Sequence, residues 1–257
     1  MFLSLVSGSS GNCTLVSHKN TTLLADCGLS CKKLEQIFQT LKIYPADLDG
    51  ILVTHEHSDH IKGIGTLSKK YNLPVYATVK THEQMTDLHI NDINIKYVTP
   101  DIDFEIGDIG IKPFSIPHDA AGPVGYNFFF DEKKLSLATD IGEMTDSIMS
   151  KLKGSLAVLL ESNHDINMVK TGKYPAFLKQ RILGKFGHLS NESAAKTALE
   201  LAKTGTKHMM LGHLSNENNT PKTAFCETAK LLVNNGVELQ KDMTLTVASR
   251  YEVTKFR

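Results

Sequence analysis

Thr54-His55-Glu56-His57-Ser58-Asp59-His60, directly after the apolar run Ile51-Leu52-Val53, sets three imidazoles and the Asp59 carboxylate within six residues. Lysine and arginine would serve a solvated loop equally well, so this density of histidine points to a metal site. A buried strand ending in a loop, followed by Ile61, Ile64 and Leu67 at helical spacing, fixes His55 and His57 on the loop and puts Asp59 and His60 at the helix start. Donors that diverge from so short a segment do not all reach one tetrahedral ion. They can divide between two ions roughly 3.5–4 Å apart, which makes a dinuclear hydrolase the natural expectation.

At 257 residues and 41% hydrophobic content the chain can bury an extensive core, and one α/β domain spanning residues 1–257 is expected. Lysine plus arginine balances aspartate plus glutamate at 28 each, so any site for a polyanion has to be local. The opening Met1-Phe2-Leu3-Ser4-Leu5-Val6 lacks a basic start and a long apolar core, and no later apolar run reaches membrane-spanning length. A soluble, cytoplasmic protein is expected, with nothing that calls for a membrane or an obligate protein partner. Cys13, Cys27, Cys31 and Cys226 form no C-x-x-C pair and read as small buried hydrophobes, not as a zinc ribbon or a disulfide framework.

Residues 2–6 and 13–17 read as short strands around Ser7-Gly8-Ser9-Ser10-Gly11-Asn12, a tight turn without the lysine of a phosphate-binding P-loop. Thr21 to Ala25 reads as a strand delivering Asp26 to its carboxyl end. There the carboxylate either orients a metal-bound histidine from behind or caps a helix marked by Leu34, Ile37, Phe38 and Leu41. After the central motif come a helix to about Tyr71, a strand at 75–77 and a short helix near 82–88, with His82 and His89 expected on the surface. From Ile93 to Asp140 short strands follow one another (95–98, 104–106, 109–116, 125–130 and 135–139), too many for one sheet. His118 and Asp140 stand where two of them end. Asp140 reads as a carboxylate between two ions or, alternatively, as the N-cap of a helix at 144–152.

A strand at 156–160 opens into Glu161-Ser162-Asn163-His164-Asp165. From Ile166 to Asn191 there are Lys170, Lys173, Lys179, Arg181 and Lys185 and no acidic residue. With Tyr174 and Phe177 interleaved, this segment can follow a phosphate backbone and stack a base. The alternative is a solvated helix face at 175–185 over an ordinary core stripe of Leu178, Ile182 and Leu183. Two echoes follow, Gly187-His188-Leu189-Ser190-Asn191 and Gly212-His213-Leu214-Ser215-Asn216. The second follows the apolar strand 208–211 and again puts a histidine at a strand end, so His213 reads as the last metal ligand. His188 lies before a helix at 192–203 capped by Ser190 or Asn191, which leaves it to donate a proton or touch phosphate. A helix at 222–233 and a strand at 243–248 complete the α/β pattern.

The spacing of His55, His57, Asp59 and His60 is similar to the His-x-His-x-Asp-His signature of the metallo-β-lactamase superfamily, and Asp26, His118, Asp140 and His213 follow that superfamily's order. The resemblance implies a four-layer αββα sandwich of two mixed sheets between helices, with metals where strand ends and loops converge. Asp26 would then orient a ligand from behind. True β-lactamases of the superfamily often carry cysteine where Asp140 stands, so an all-His/Asp site away from antibiotic hydrolysis is implied. Ser7 to Asn12, Glu161 to Asp165, Gly187 to Asn191 and Gly212 to Ser215 resemble the WalJ (YycJ) group of metal-dependent exonucleases. The last three blocks are also similar to tRNA 3′-processing endonucleases of the fold, whose acidic loop residue and loop histidine assist proton transfer, roles that fall on Glu161 and His188. The chain shows no extended tRNA-binding arm and is too short for the inserted β-CASP domain. The core fold and its own loops, with Asn163, His164, Lys179, Arg181, Ser190 and Asn191, are therefore expected to hold the substrate.

The implied function is a 5′-to-3′ exonuclease on DNA with a part in DNA repair. His55, His57 and His118 would hold one divalent ion and Asp59, His60 and His213 the other, with Asp140 between them; zinc, manganese and iron all suit such donors. Two close cations make hydroxide available near neutral pH, Asp59 orients it, and His188, set by Glu161, protonates or steadies the leaving oxygen. Two other readings stay open. The same ions can act on a small cyclic phosphodiester or on a thioester, as in glyoxalase II relatives, or the chain can be a metal-binding regulatory protein without turnover. The basic segment and the His188 block favour phosphodiesters, and the complete donor set favours catalysis.

Overall fold

The computed structural model describes residues 1–256. In chain order its elements are β1 (Phe2–Val6), β2 (Cys13–His18), β3 (Thr21–Ala25), α1 (Cys31–Leu41), β4 (Gly50–Leu52), α2 (Ser58–Ile61), α3 (Ile64–Tyr71), β5 (Val75–Ala77), α4 (Val79–Gln84), β6 (Ile95–Tyr97), β7 (Phe104–Ile106), β8 (Ile109–Ser115), β9 (Val124–Phe130), β10 (Lys133–Ala138), α5 (Asp146–Leu152), β11 (Ala157–Glu161), α6 (Ile166–Thr171), α7 (Ala176–Leu183), α8 (Asn191–Lys203), β12 (His208–Gly212), α9 (Pro221–Asn234), β13 (Thr244–Val247) and β14 (Thr254–Lys255). The chain divides into two compact units. One comprises Met1–Ser115, Ala120–Val124 and Ser249–Lys255, the other Ile116–Asp119, Gly125–Ala248 and Phe256.

The first unit holds a mixed sheet in the order β14-β1-β2-β3-β4-β5-β6, antiparallel as far as β3 and parallel beyond it. The antiparallel hairpin β7–β8 also belongs to this unit. Its core gathers Leu5, Leu15, Leu24 and Ile51 from the strands and Val53 just past β4, with Leu34, Phe38, Ile64 and Leu67 from the helices. The apolar stripe expected on the first helix is thus the buried face of α1, whose N-cap is Ser30. Parallel pairing of Ala25 with Leu52 brings the carboxyl ends of β3 and β4 side by side, and the Asp26 amide donates to the Leu52 carbonyl at 2.8 Å.

In the second unit β9 and β10 pair antiparallel, and β10, β11, β12 and β13 run parallel. Ala138 lies opposite Leu160 and Leu160 opposite Leu211, so Asp140, Glu161 and His213 emerge at one carboxyl edge. This is where open α/β sheets place their chemistry, because loops leaving parallel strands converge there. Asp26, Asp140 and His213 all have left-handed backbones, with φ of 61°, 61° and 54°.

Several expectations need correction. The helix after the central motif is broken into α2 and α3 at Gly63, where a Cβ would lie 2.2 Å from the Leu29 carbonyl oxygen. His82 is buried, not on the surface: its Nε2 meets the Lys96 carbonyl at 3.1 Å, its ring packs edge-on against Tyr97, and burial lowers its pKa. Cys13, Cys27 and Cys31 are buried as expected, but Cys226 is exposed on α9. The core stripe read on α7 is absent, since no residue of that helix is buried. Among the described residues, no helix is long and apolar enough to cross a membrane.

Candidate metal centre

The first unit assembles its donors around Asp26. This buried carboxylate takes the Thr54 amide on Oδ1 at 2.8 Å, and on Oδ2 the Thr54 hydroxyl and the His60 Nδ1–H, both at 2.8 Å. Having given its proton to Asp26, the Thr54 oxygen accepts from His55 Nδ1 at 3.0 Å. Both rings therefore carry their proton on Nδ1 and keep the Nε2 lone pair for a cation, the arrangement by which outer carboxylates and hydroxyls orient metal-binding imidazoles. The His55 ring lies 4.6 Å from His57 and 4.2 Å from His60, centroid to centroid. Asp59, on the first turn of α2, is partly exposed beside an open pocket of about 460 Å³ that Ser9, Ser10 and Lys62 also line.

Asn12 was not foreseen as part of this cluster. Its Nδ2 approaches His60 Nε2 at 3.0 Å and Asp59 Oδ2 at 3.3 Å, while its Oδ1 accepts the Gly8 amide at 3.0 Å. The segment read only as a tight turn is thus folded around a side chain that faces two expected ligands. Gly28 lets the backbones meet: its amide donates to the Asn12 carbonyl, and a Cβ there would fall 1.7 Å from the Asp59 carbonyl oxygen and 2.6 Å from the Asn12 nitrogen. Overpacking against rigid backbone costs about 1–3 kcal/mol or more. Gly28→Ala is therefore expected to lower Tm by roughly 5–10 °C in differential scanning calorimetry, and an unchanged Tm would show that this crossing yields freely.

The second unit is organised around Glu161. Its Oε1 accepts from His188 Nδ1 at 2.8 Å and His213 Nδ1 at 2.9 Å; its Oε2 accepts the amides of Ile141 at 2.7 Å and Leu189 at 3.0 Å. Burial alone would raise its pKa, but the His188 charge and the two histidine hydrogen bonds hold it far below the carboxylate range. The same pairing raises His188 against the lowering effect of burial. Asp140 Oδ1 lies 3.4 Å from His213 Nδ1 and 3.8 Å from His118 Nε2. His118 Nδ1 donates to the Gly187 carbonyl at 3.0 Å, which turns Nε2 inward, and burial lowers its pKa. Thr145, not Asp140, caps α5, so the capping alternative for Asp140 falls away.

This donor chemistry fits divalent ions. His55, His60, His118, His188 and His213 each have Nδ1 engaged by an oxygen, in a setting of buried imidazole and carboxylate oxygen. Within the second unit alone, Asp140, Glu161, His188 and His213 offer ligand atoms within 4.8 Å of one another. Glu161 already takes four donors, so its place is behind the histidines, where it sets the orientation of His188 as expected.

The residues expected to touch substrate divide. Asn163 is buried and donates to the His213 carbonyl at 2.9 Å; Asn191 is buried between Ser162 and Asn219; Ser190 is spent capping α8. His164 is buried too, with its pKa pushed down to about 4 by burial. These four are corrected from substrate contacts to scaffold. Asn219, unforeseen, ties their loops together: its Nδ2 reaches the carbonyls of Ser162 and Asn163 and the Asn191 Oδ1 at 2.8–3.0 Å. Lys179 and Arg181 are placed differently. Arg181 is exposed and pairs with Asp119, and Lys179, with its amine at the surface, donates to the Lys170 carbonyl.

A family model described as a beta-lactamase superfamily domain matches residues 21–214. The chain is 42% identical over 238 residues to the exodeoxyribonuclease YycJ of Bacillus anthracis, covering 91% of this chain and 90% of that protein. It is 41% identical over 229 residues to the exodeoxyribonuclease WalJ of Streptococcus pneumoniae, covering 86% and 83%. The crystal structure of Zn(2+)-bound PqqB from Methylobacterium extorquens matches with a TM-score of 0.73 over 99% of this chain and 100% of that one; at 16% identity this is a likeness of fold. With its two mixed sheets, flanking helices and strand-end donors, the chain belongs to the metallo-β-lactamase superfamily.

Proposed function

We propose that the chain is a metal-dependent nuclease, a 5′-to-3′ exonuclease on DNA acting in the cytoplasm as a single catalytic domain over residues 1–257, with a part in DNA repair. The observation that carries the reading is the set of histidines with Nδ1 tied to oxygen, leaving Nε2 for cations. The exodeoxyribonuclease relatives supply the substrate class.

In this reading the donors for one ion would be His55, His57 and His118 and those for the second Asp59, His60 and His213, with Asp140 available to both; zinc, manganese or iron suits these donors. When bound, two such ions activate water and neutralise charge on phosphate oxygens. Asp59 orients the attacking water through its partly exposed carboxylate. His188, with Nδ1 held by Glu161, presents Nε2 to give a proton to the leaving oxygen. Lys179 and Arg181 meet the phosphate backbone.

The test is cleavage of end-labelled single- and double-stranded DNA and RNA by metal-replete protein, with Asp59→Ala as control. Mononucleotides released from the 5′ end of DNA support the reading. Turnover of only a thioester or a small cyclic phosphodiester would overturn the substrate assignment. A division of labour is also expected: His188→Ala keeps its metal while turnover falls by about 10²–10⁴, whereas His57→Ala loses both. Elemental analysis showing equal metal loss in the two variants would contradict the separate roles of these histidines.

A further inference from the structure

The turn Ser7-Gly8-Ser9-Ser10-Gly11-Asn12 closes on its own last side chain, and that side chain has one hydrogen to spare. Asn12 is only 5% exposed. Its Oδ1 accepts the Gly8 amide at 3.0 Å and the Ser7 hydroxyl at 3.3 Å, which fixes the orientation of the side-chain amide. One Nδ2 hydrogen returns to the Gly8 carbonyl at 3.1 Å. Those bonds complete the turn. The second Nδ2 hydrogen adds nothing to it and faces His60 Nε2 at 3.0 Å and Asp59 Oδ2 at 3.3 Å.

The backbone aims that hydrogen. The Asn12 amide donates to the Asp59 carbonyl and the Asn12 carbonyl accepts from the Gly28 amide, both at 2.8 Å, so Asn12 touches the main chain and the side chain of Asp59 together. The stem of Arg250 packs behind the turn, where a Cβ on Gly8 would lie 2.9 Å from its Cγ. Asp59 needs such a hold. It stands on a helix of four residues whose N-cap, His57, makes no side-chain capping bond. Its carboxylate is 24% exposed beside the open pocket, and the last torsion of an aspartate has broad minima.

With its proton on Nδ1, held by Asp26, a neutral His60 ring has one in-plane lone pair, on Nε2. A lone pair given to a cation is lost to Asn12. The Asn12 hydrogen then has Asp59 Oδ2 as its acceptor. We infer that Asn12 is a positioning residue for Asp59: its Nδ2–H, released from His60 in the metal-loaded protein, fixes the Asp59 carboxylate for its part in directing water. The inference rests on the nuclease reading and adds a residue to that site. Asn12 fits this part better than that of a ligand, because its oxygen is engaged by Gly8 and Ser7 and only its NH2 faces the donors.

Metal-free wild type, Asn12→Ala, Asp59→Ala and the double variant would be titrated with manganese by isothermal titration calorimetry. Asn12→Ala is expected to weaken the weaker of two binding events about 10- to 100-fold. In the Asp59→Ala background the same change should cost less than about twofold, because residues that act through one contact are not additive. A full further loss in that background would overturn the inference. So would tighter manganese binding by Asn12→Ala, which would mark Asn12 as a competitor for His60. Asn12→Asp keeps an acceptor for the Gly8 amide and so preserves the turn, but it cannot donate. With labelled DNA and saturating manganese it should lower kcat about 10- to 100-fold while KM stays within about threefold, and an unchanged kcat would refute the positioning role. Non-additive manganese binding without cleavage of any nucleic acid would remove the nuclease and spare Asn12; cleavage of DNA with additive losses would do the reverse.

Discussion

Glu161→Gln is expected to cost turnover at least about 100-fold and to reduce bound metal, the largest effect of any conservative change in this chain. The carboxylate accepts four hydrogen bonds, two from histidine Nδ1 atoms on one oxygen and two from amides on the other. A glutamine has the same shape but must point an NH2 at one of these pairs. Facing the Ile141 and Leu189 amides, it creates two donor–donor clashes in a buried place. Facing the histidines, it forces their protons onto Nε2, which removes the His213 lone pair intended for the cation and takes from His188 the carboxylate charge that favours its protonated form. Elemental analysis after dialysis and single-turnover cleavage of labelled DNA check this. Full metal content with turnover within threefold of wild type would contradict it. Because His188 is displaced as well as His213, added metal should restore little activity.

Asp26→Asn makes the contrasting case. Asparagine tolerates the left-handed backbone at this position, so the fold is expected to survive. Thr54 can turn its hydroxyl to accept from an amide, but the His60 Nδ1–H cannot, and that ring must reverse its tautomer. Metal affinity should fall about 10- to 100-fold. His188 is untouched by this change. Saturating metal should therefore return most of the turnover in Asp26→Asn and not in Glu161→Gln, and identical metal-titration curves for the two variants would refute the separate parts assigned to these carboxylates.

What the sequence disclosed follows a simple physical rule. Apolar runs such as Ile51 to Val53 and Met209 to Leu211 are buried strands, and the first polar residue past each is where a loop can carry chemistry. Asp26 and His213 were legible for that reason, and His118 and Asp140 because each stands within three residues of a strand end. Asn12 and Asn219 were not, because their partners lie 48 and 57 residues away and a lone asparagine in a turn looks the same whether it faces solvent or a histidine. Asn163, His164 and Asn191 misled in the opposite sense: polarity in a motif said function, while burial in a hydrogen-bonded network made them scaffold. The break at Gly63 was hidden too, since the apolar spacing through Ile61, Ile64 and Leu67 continues across it and only the approach of the Leu29 carbonyl requires it. His82, one helical residue among polar neighbours, gave no sign of the Lys96 carbonyl that buries it.

The left-handed backbones at Asp26, Asp140 and His213 set heat resistance against chemistry. Each places a Cβ where about 1–3 kcal/mol of conformational energy is stored, and glycine would release it. A library of variants sorted only for survival at high temperature would be drawn toward glycine at Asp140, whereas Asp26 and His213 are held by the buried hydrogen bonds they make. The survivors would be hardier proteins in which that donor had been erased, and selection on this scaffold has to keep turnover in view at every round.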